Sequence, residues 1–127
     1  MICIVCTSAY LGNRMADALR RRGEQVCTYT ENIRKKSGLL QNMTRAFSCD
    51  WLMQMLQTEE VSRVYFDCAY FTDSATFRKI SPHTKFIALS SLFEEARINM
   101  ALCCGAKDFL MQPFSTDDFD EVYERTK

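Results

Sequence analysis

The chain has 127 residues, of which 47% are hydrophobic and 25% are charged, and its 16 basic residues balance its 16 acidic ones. This size and composition predict one globular domain over residues 1–127 and exclude a disordered chain. The charge balance argues against a protein that binds nucleic acid through bulk positive charge. No apolar run approaches the roughly 18 residues that a membrane span requires.

The hydrophobic pattern predicts strands and helices that alternate along the chain. Strands are predicted at 2–6, 25–29, 61–66, 85–89 and 108–111. Helices are predicted over 11–19, 50–57, 72–80, from Ser91 to Gly105 and from Ser115 onward, and residues 30–46 are predicted to form a polar loop. Ser91 and Ser115 each begin a capping-box pattern, so we interpret Ser90 and Ser91 first as helix caps.

This alternation predicts an α/β fold, a doubly wound five-stranded parallel sheet with helices on both faces. Ligands of such sheets bind beyond the carboxyl ends of the strands. The candidate site residues are therefore those at the predicted strand ends: Cys6, Thr7, Asp67, Ser90, Gln112 and Pro113.

The seven cysteines, without a secretory signal, predict a reducing cytoplasm and not a disulfide framework. Cys3 and Cys6 have a Cys-x-x-Cys spacing, but both fall in an apolar run. We interpret them as small hydrophobic residues of a buried strand. A single histidine, His83, argues against a zinc site.

The stretch from Phe86 to Phe114 resembles the second half of a response-regulator receiver (CheY-like) domain. Ser90 matches the family's hydroxyl residue after strand four, and Phe109 matches its switch aromatic, although we expect Phe109 to be half-buried packing. Gln112, Pro113 and Phe114 match the family's Lys-Pro-Phe.

The resemblance extends to Asp67, which follows the apolar run Val-Tyr-Phe and matches the family's phosphoacceptor aspartate. It implies a flavodoxin/CheY-like (βα)5 fold with strand order 2-1-3-4-5, and a cis peptide bond before Pro113. Asp67 could equally serve as a helix cap.

The chain departs from the family at its charged positions. Cys6 and Thr7 stand where the family has an acidic pair, and Gln112 stands where it has a lysine. Phosphoryl transfer to a carboxylate needs charge neutralisation by Mg²⁺ and a cation, and Mg²⁺ prefers carboxylate ligands. We therefore expect a pseudo-receiver that is not an enzyme and has no cofactor; Asp67 would be the ligand if Mg²⁺ is retained.

A pseudo-receiver would act in two-component-type signal transduction as a phosphorylation-independent interaction module. In receivers the face of the fourth helix, fifth strand and fifth helix usually contacts other proteins. We expect this face to bind a protein partner or a second copy, without membrane or direct nucleic-acid contact. It includes an acidic group: Asp117, Asp118, Asp120, Glu121 and Glu124.

Two alternatives stay open. In the first, Asp67 still accepts a phosphoryl group, with Thr7 and a backbone carbonyl holding the metal through water. In the second, Cys6 is a nucleophile, because a cysteine between a strand and a small-residue loop resembles the phosphocysteine loop of IIB sugar-transport proteins. A helix N-terminus there would lower the pKa of the thiol and favour a bound phosphate.

Overall fold

A computed structural model describes residues 1–6, 8–30, 52–67, 81–91, 105–112 and 114–127. The elements in chain order are β1 (Ile2–Cys6), α1 (Ala9–Arg20), β2 (Val26–Thr30), α2 (52–58), β3 (Arg63–Asp67), β4 (Lys85–Ser91), β5 (Asp108–Gln112) and α3 (Thr116–Arg125). None of the helices in these ranges is both long enough and apolar enough to cross a bilayer.

The five strands form one parallel sheet in the order β2-β1-β3-β4-β5. The predicted α/β class and strand order are therefore confirmed. All five residues of β1 and of β3 are buried. This burial explains the nearly unbroken apolar run of β1, because a central parallel strand is covered on both faces.

Alternate residues of the strands supply two separate hydrophobic cores, one on each face of the sheet. The first core packs β-strand residues against α1 and α3, and its members include Ile2, Ile4, Leu19, Tyr65 and Phe119. The second packs the other face against α2, and its members include Cys3, Val5, Leu52, Leu56 and Phe66. Helices thus cover both faces, as the doubly wound prediction requires.

Side-chain caps fix the starts of α1 and α3. The Ser8 hydroxyl accepts a hydrogen bond from the Leu11 amide at 3.2 Å. At α3 the predicted capping box is confirmed: the Asp118 amide donates to the Ser115 hydroxyl, and the Ser115 amide donates to the Asp118 carboxylate. After α1 the chain turns at Gly23, whose φ of 86° favours glycine.

The end of α3 is attached to the amino edge of the sheet. Arg63 Nε and Lys85 Nζ each donate to the Thr126 carbonyl oxygen at 3.1 Å. Cations at the carboxyl end of a helix stabilise its unpaired carbonyls and its dipole. The Arg63 guanidinium also lies over the Tyr123 ring, 4.3 Å from its centroid. These contacts fix the position of α3 on its face of the sheet.

The observed strand bounds differ from the predicted ones by one or two residues. The strand β3 begins at Arg63 and not at residue 61, and β4 continues to Ser91, since Ser90 and Ser91 pair with Met111 and Gln112. The predicted loop 30–46 (beyond Thr30), the helix 72–80 and the helix that Ser91 would cap lie outside the described residues.

Candidate functional site

The predicted site residues meet at the carboxyl edge of the sheet. Cys6, Asp67 and Gln112 are the last residues of β1, β3 and β5, and Ser90 is the second-last of β4. The register aligns these ends, because Val5 pairs with Phe66, Asp67 with Leu89 and Ser90 with Met111. Thr7 and Pro113, with the implied cis bond, lie outside the described residues.

Asp67 is buried, with 9% of its surface exposed. Strand alternation places its side chain on the same side of the sheet as Tyr65, toward α1 and α3. The Gln112 side chain lies on that side as well, because Gln112 is two residues after Leu110 of the first core. Ser90, 2% exposed, lies on the other side, because it is two residues after Ala88 of the second core. The edge therefore offers one carboxylate and one neutral amide on the α1 side.

Cys6 is only 1% exposed, and its side chain belongs to the core under α1, together with Ile4 and Met15. The interpretation of Cys3 and Cys6 as buried, unbridged apolar residues is confirmed. The position that matches the first acidic residue of receivers therefore contributes an apolar contact and no oxygen ligand.

The described part of this edge does not supply the ligands that Mg²⁺ requires. The last residues of the strands are Cys6, Thr30, Asp67, Ser91 and Gln112, so Asp67 is the one carboxylate among them. Mg²⁺ requires several hard oxygen ligands, and a core thiol is not one. The described part of the chain contains no group of three metal-ligating side chains. Gln112 can donate a hydrogen bond to an anion but supplies no positive charge.

A cavity of about 430 Å³ lies beside Gln112, between β5 and the start of α1. Its lining consists of Ser8, Tyr10, Leu11, Gln112 and Phe114. Tyr10 is 71% exposed, which is unusual for a large aromatic side chain. We did not predict Ser8 and Tyr10 from the sequence, although a serine just before an apolar helical pattern is the usual signal of an N-cap.

The switch-aromatic position, Phe109, is 38% exposed on the edge strand β5, in agreement with the half-buried packing that we expected. Its amide donates to Asp108 Oδ1 at 2.9 Å. A side-chain acceptor on an edge strand occupies an amide that another strand could otherwise pair with.

Five parallel strands in this order, with helices on both faces and candidate residues at the carboxyl edge, define the fold of response-regulator receiver (CheY-like) domains. The chain is similar to the receiver domain of NtrX from Brucella abortus, at 19% identity and a TM-score of 0.76 over 99% of this chain and 97% of that one.

Two further solved structures agree with this assignment of fold. The chemotaxis protein CheY4 of Vibrio cholerae is 14% identical with a TM-score of 0.74, over 99% of this chain and 97% of that one. A CheY-like receiver domain protein of Methanospirillum hungatei JF-1 is 15% identical with a TM-score of 0.72, over 98% and 91%. No family model and no curated protein matches the chain. The likeness confirms the receiver fold that the sequence resemblance implied.

Proposed function

We propose that this chain is an atypical receiver domain of two-component-type signal transduction that acts as a phosphorylation-independent protein-interaction module. It works in the cytoplasm, has no enzymatic activity and needs no metal. The observation that carries this proposal is the burial of Cys6, which puts a core thiol at the position of an acidic metal ligand.

The charges at the carboxyl edge of the sheet support the same proposal. A phosphoryl group on Asp67 would add about two negative charges at neutral pH to an edge where the carboxylate is already buried. Functional receivers offset that charge with a metal and a lysine, and here Gln112 is neutral. Stabilising charge in the transition state is the main contribution of such sites, so its loss removes the rate enhancement.

Intact mass after incubation with acetyl phosphate tests the proposal. Wild type and Asp67→Asn are treated with and without Mg²⁺, beside a receiver domain that has the acidic pair and the lysine. We expect a phosphoryl adduct on that control and none on either form of this chain. A metal-dependent adduct on wild type that Asp67→Asn lacks would refute the proposal and establish phosphorylation of Asp67.

The same experiment distinguishes phosphorylation of Cys6 from phosphorylation of Asp67. An adduct that persists in Asp67→Asn and disappears in Cys6→Ala would identify a phosphocysteine. Burial of Cys6 predicts instead that iodoacetamide modifies it more slowly than a model thiol at neutral pH.

The partner of this module binds, in our proposal, through the face that includes β5 and the outer side of α3. The exposed Phe109 supports this assignment, because exposed aromatic residues are enriched at protein interfaces. Quantitative pull-downs with wild type and Phe109→Ser test it. Proteins retained by wild type and lost by the variant occupy this face, whereas equal capture by both contradicts the assignment.

A further inference from the structure

A groove of about 320 Å³ runs between α1 and the start of α3 on the first-core face of the sheet. Its apolar lining consists of Leu11, Met15, Ala18, Phe114 and Phe119. Tyr10 stands at one end, with its ring exposed, and Arg14 Nη1 donates to the Tyr10 hydroxyl at 3.3 Å. The groove thus combines apolar surface with an exposed aromatic residue, a composition typical of protein interfaces.

The α1 side of the groove is mainly basic, with two arginines and one carboxylate residue, Asp17, in its lining. Arg14 and Arg21 line it, both are exposed, and neither has a carboxylate partner within the described ranges. Arg21 donates only to the Asp17 carbonyl oxygen, while the Asp17 carboxylate lies 3.9 Å from Arg20. One guanidinium group on α1 and one at its C-cap are therefore available to carboxylates of another molecule.

The outer ridge of α3 is acidic. Asp117, Glu121 and Glu124 are exposed and follow a spacing of four and three residues, which places them on one line along the helix. Asp117 has no cationic partner among the described side chains. Glu121 and Glu124 have short-range partners within the same segment, Arg125 and Lys127, in exposed ion pairs that contribute little.

A basic helix beside an acidic helix makes this face complementary to itself. Both helices follow strands of a parallel sheet, so they run in the same direction. A two-fold axis along the groove lays α1 of one copy on α3 of the other, in the same direction, and repeats that contact by symmetry. Arg14 and Arg21 are seven residues apart, as are Asp117 and Glu124, about 10 Å along each helix.

We infer that the α1/α3 face binds a second copy of this chain in an isologous dimer. In that dimer Arg14 faces Asp117 of the second copy, Arg21 faces its Glu124, and the two Tyr10 rings lie at the same end of the apolar groove. The inference rests on the proposed function in one respect, since the second copy would be a partner of the proposed interaction module. The dimer surface shares the outer side of α3 with the partner face proposed above, but it does not include the exposed part of β5.

Charge reversal tests this dimer by sedimentation equilibrium at chain concentrations from about 1 μM to about 1 mM. We expect wild type to reach a plateau at the mass of two chains. In Arg14→Glu/Arg21→Glu and in Asp117→Lys/Glu124→Lys, both halves of the interface bring like charges together, and we expect Kd to rise by more than about tenfold. Raising the salt from about 0.05 M to about 0.5 M should also weaken the wild-type dimer.

The decisive sample is the equimolar mixture of the two reversed variants. Both of its interface halves pair opposite charges again, so the mixture should dimerise although neither variant does so alone. The control is Gln57→Lys/Glu59→Lys, two exposed positions at the end of α2 and just after it, on the other side of the sheet, which should dimerise like wild type. Circular dichroism verifies that every variant is folded.

Three results overturn the inference: a monomer at every concentration, a dimer that neither reversal weakens, or a mass that grows past two chains without a plateau. Its failure is distinguishable from failure of the proposed function. A phosphoryl adduct on Asp67 would refute phosphorylation independence and would not affect the inferred dimer. A strictly monomeric chain without an adduct would refute the dimer and would not affect the proposed phosphorylation independence.

Discussion

Replacing Tyr65 by phenylalanine should raise the free energy of unfolding. The Tyr65 side chain is fully buried in the first core, and its hydroxyl lies near the Arg63 guanidinium but has no hydrogen bond of good geometry among the described residues. A buried polar group without a partner costs about 1–3 kcal/mol. Phenylalanine keeps the ring and its stacking on Phe119, at a centroid distance of 5.6 Å. We therefore expect a gain of about 1 kcal/mol, or about 4 °C in Tm.

The gain should increase at alkaline pH. Burial raises the pKa of Tyr65 from 10.0 to about 12, while the neighbouring Arg63 cation opposes the rise. The unfolded state loses this proton more readily, so wild-type stability is complete below pH 10 and falls as pH rises toward 12. At pH 11 the hydroxyl costs the wild type about 1.4 kcal/mol more than at neutral pH, a cost that Tyr65→Phe does not have.

Urea unfolding at pH 7 and at alkaline pH measures both effects. The matched control is Tyr123→Phe, because the Tyr123 hydroxyl donates to Glu24 Oε1 at 2.9 Å. That variant should lose about 1 kcal/mol at pH 7. If Tyr65→Phe is destabilised as Tyr123→Phe is, the Tyr65 hydroxyl has a partner in solution and the reasoning is wrong.

Three further predictions concern the helix cap, the buried thiol and the aromatic core. Ser115→Ala removes the α3 capping box and should lower the free energy of unfolding in urea by about 1 kcal/mol; an unchanged value would contradict the cap. Burial raises the pKa of Cys3 to about 12, so iodoacetamide at pH 8 should leave Cys3 unlabelled in the native chain and label the less buried Cys27 before it, as peptide mass spectrometry can verify. Phe119→Ala should cost about 3–4 kcal/mol and Phe109→Ala less than about 1, and similar losses would contradict the assigned burial.

Local sequence patterns predicted an element correctly where the burial of a strand or a helix cap determines that element. The apolar run of β1 and the capping box of Ser115 and Asp118 agree with the observed elements. The exact bounds of other strands depend on their pairing with neighbouring strands. The strand β4 includes Ser90 and Ser91 because Met111 and Gln112 of β5 supply its hydrogen bonds, and strand propensity does not favour two serines.

Three-dimensional proximity limited what could be predicted about the site. The sequence placed Asp67 and Gln112 at strand ends, and the sheet brings both to the carboxyl edge. Burial of Cys6 followed from its apolar surroundings. The groove between α1 and α3 could not be predicted from the sequence, because Tyr10 and Phe114 are over a hundred residues apart and only the sheet order brings them together.

In the proposed pseudo-receiver, the placement of charge would let the fold persist without phosphoryl chemistry. Arg63 and Lys85 hold the end of α3 at the amino edge of the sheet, and Arg63 is four residues, or about 13 Å, along β3 from Asp67. A neutral Gln112 at the other edge therefore costs the fold none of those contacts. A receiver without a phosphorylation event also has no covalent input to bias two conformations. In the proposed dimer, occupancy would follow chain concentration and ionic strength, which act on the surface pairs of Arg14 and Arg21 more strongly than on the buried Arg63.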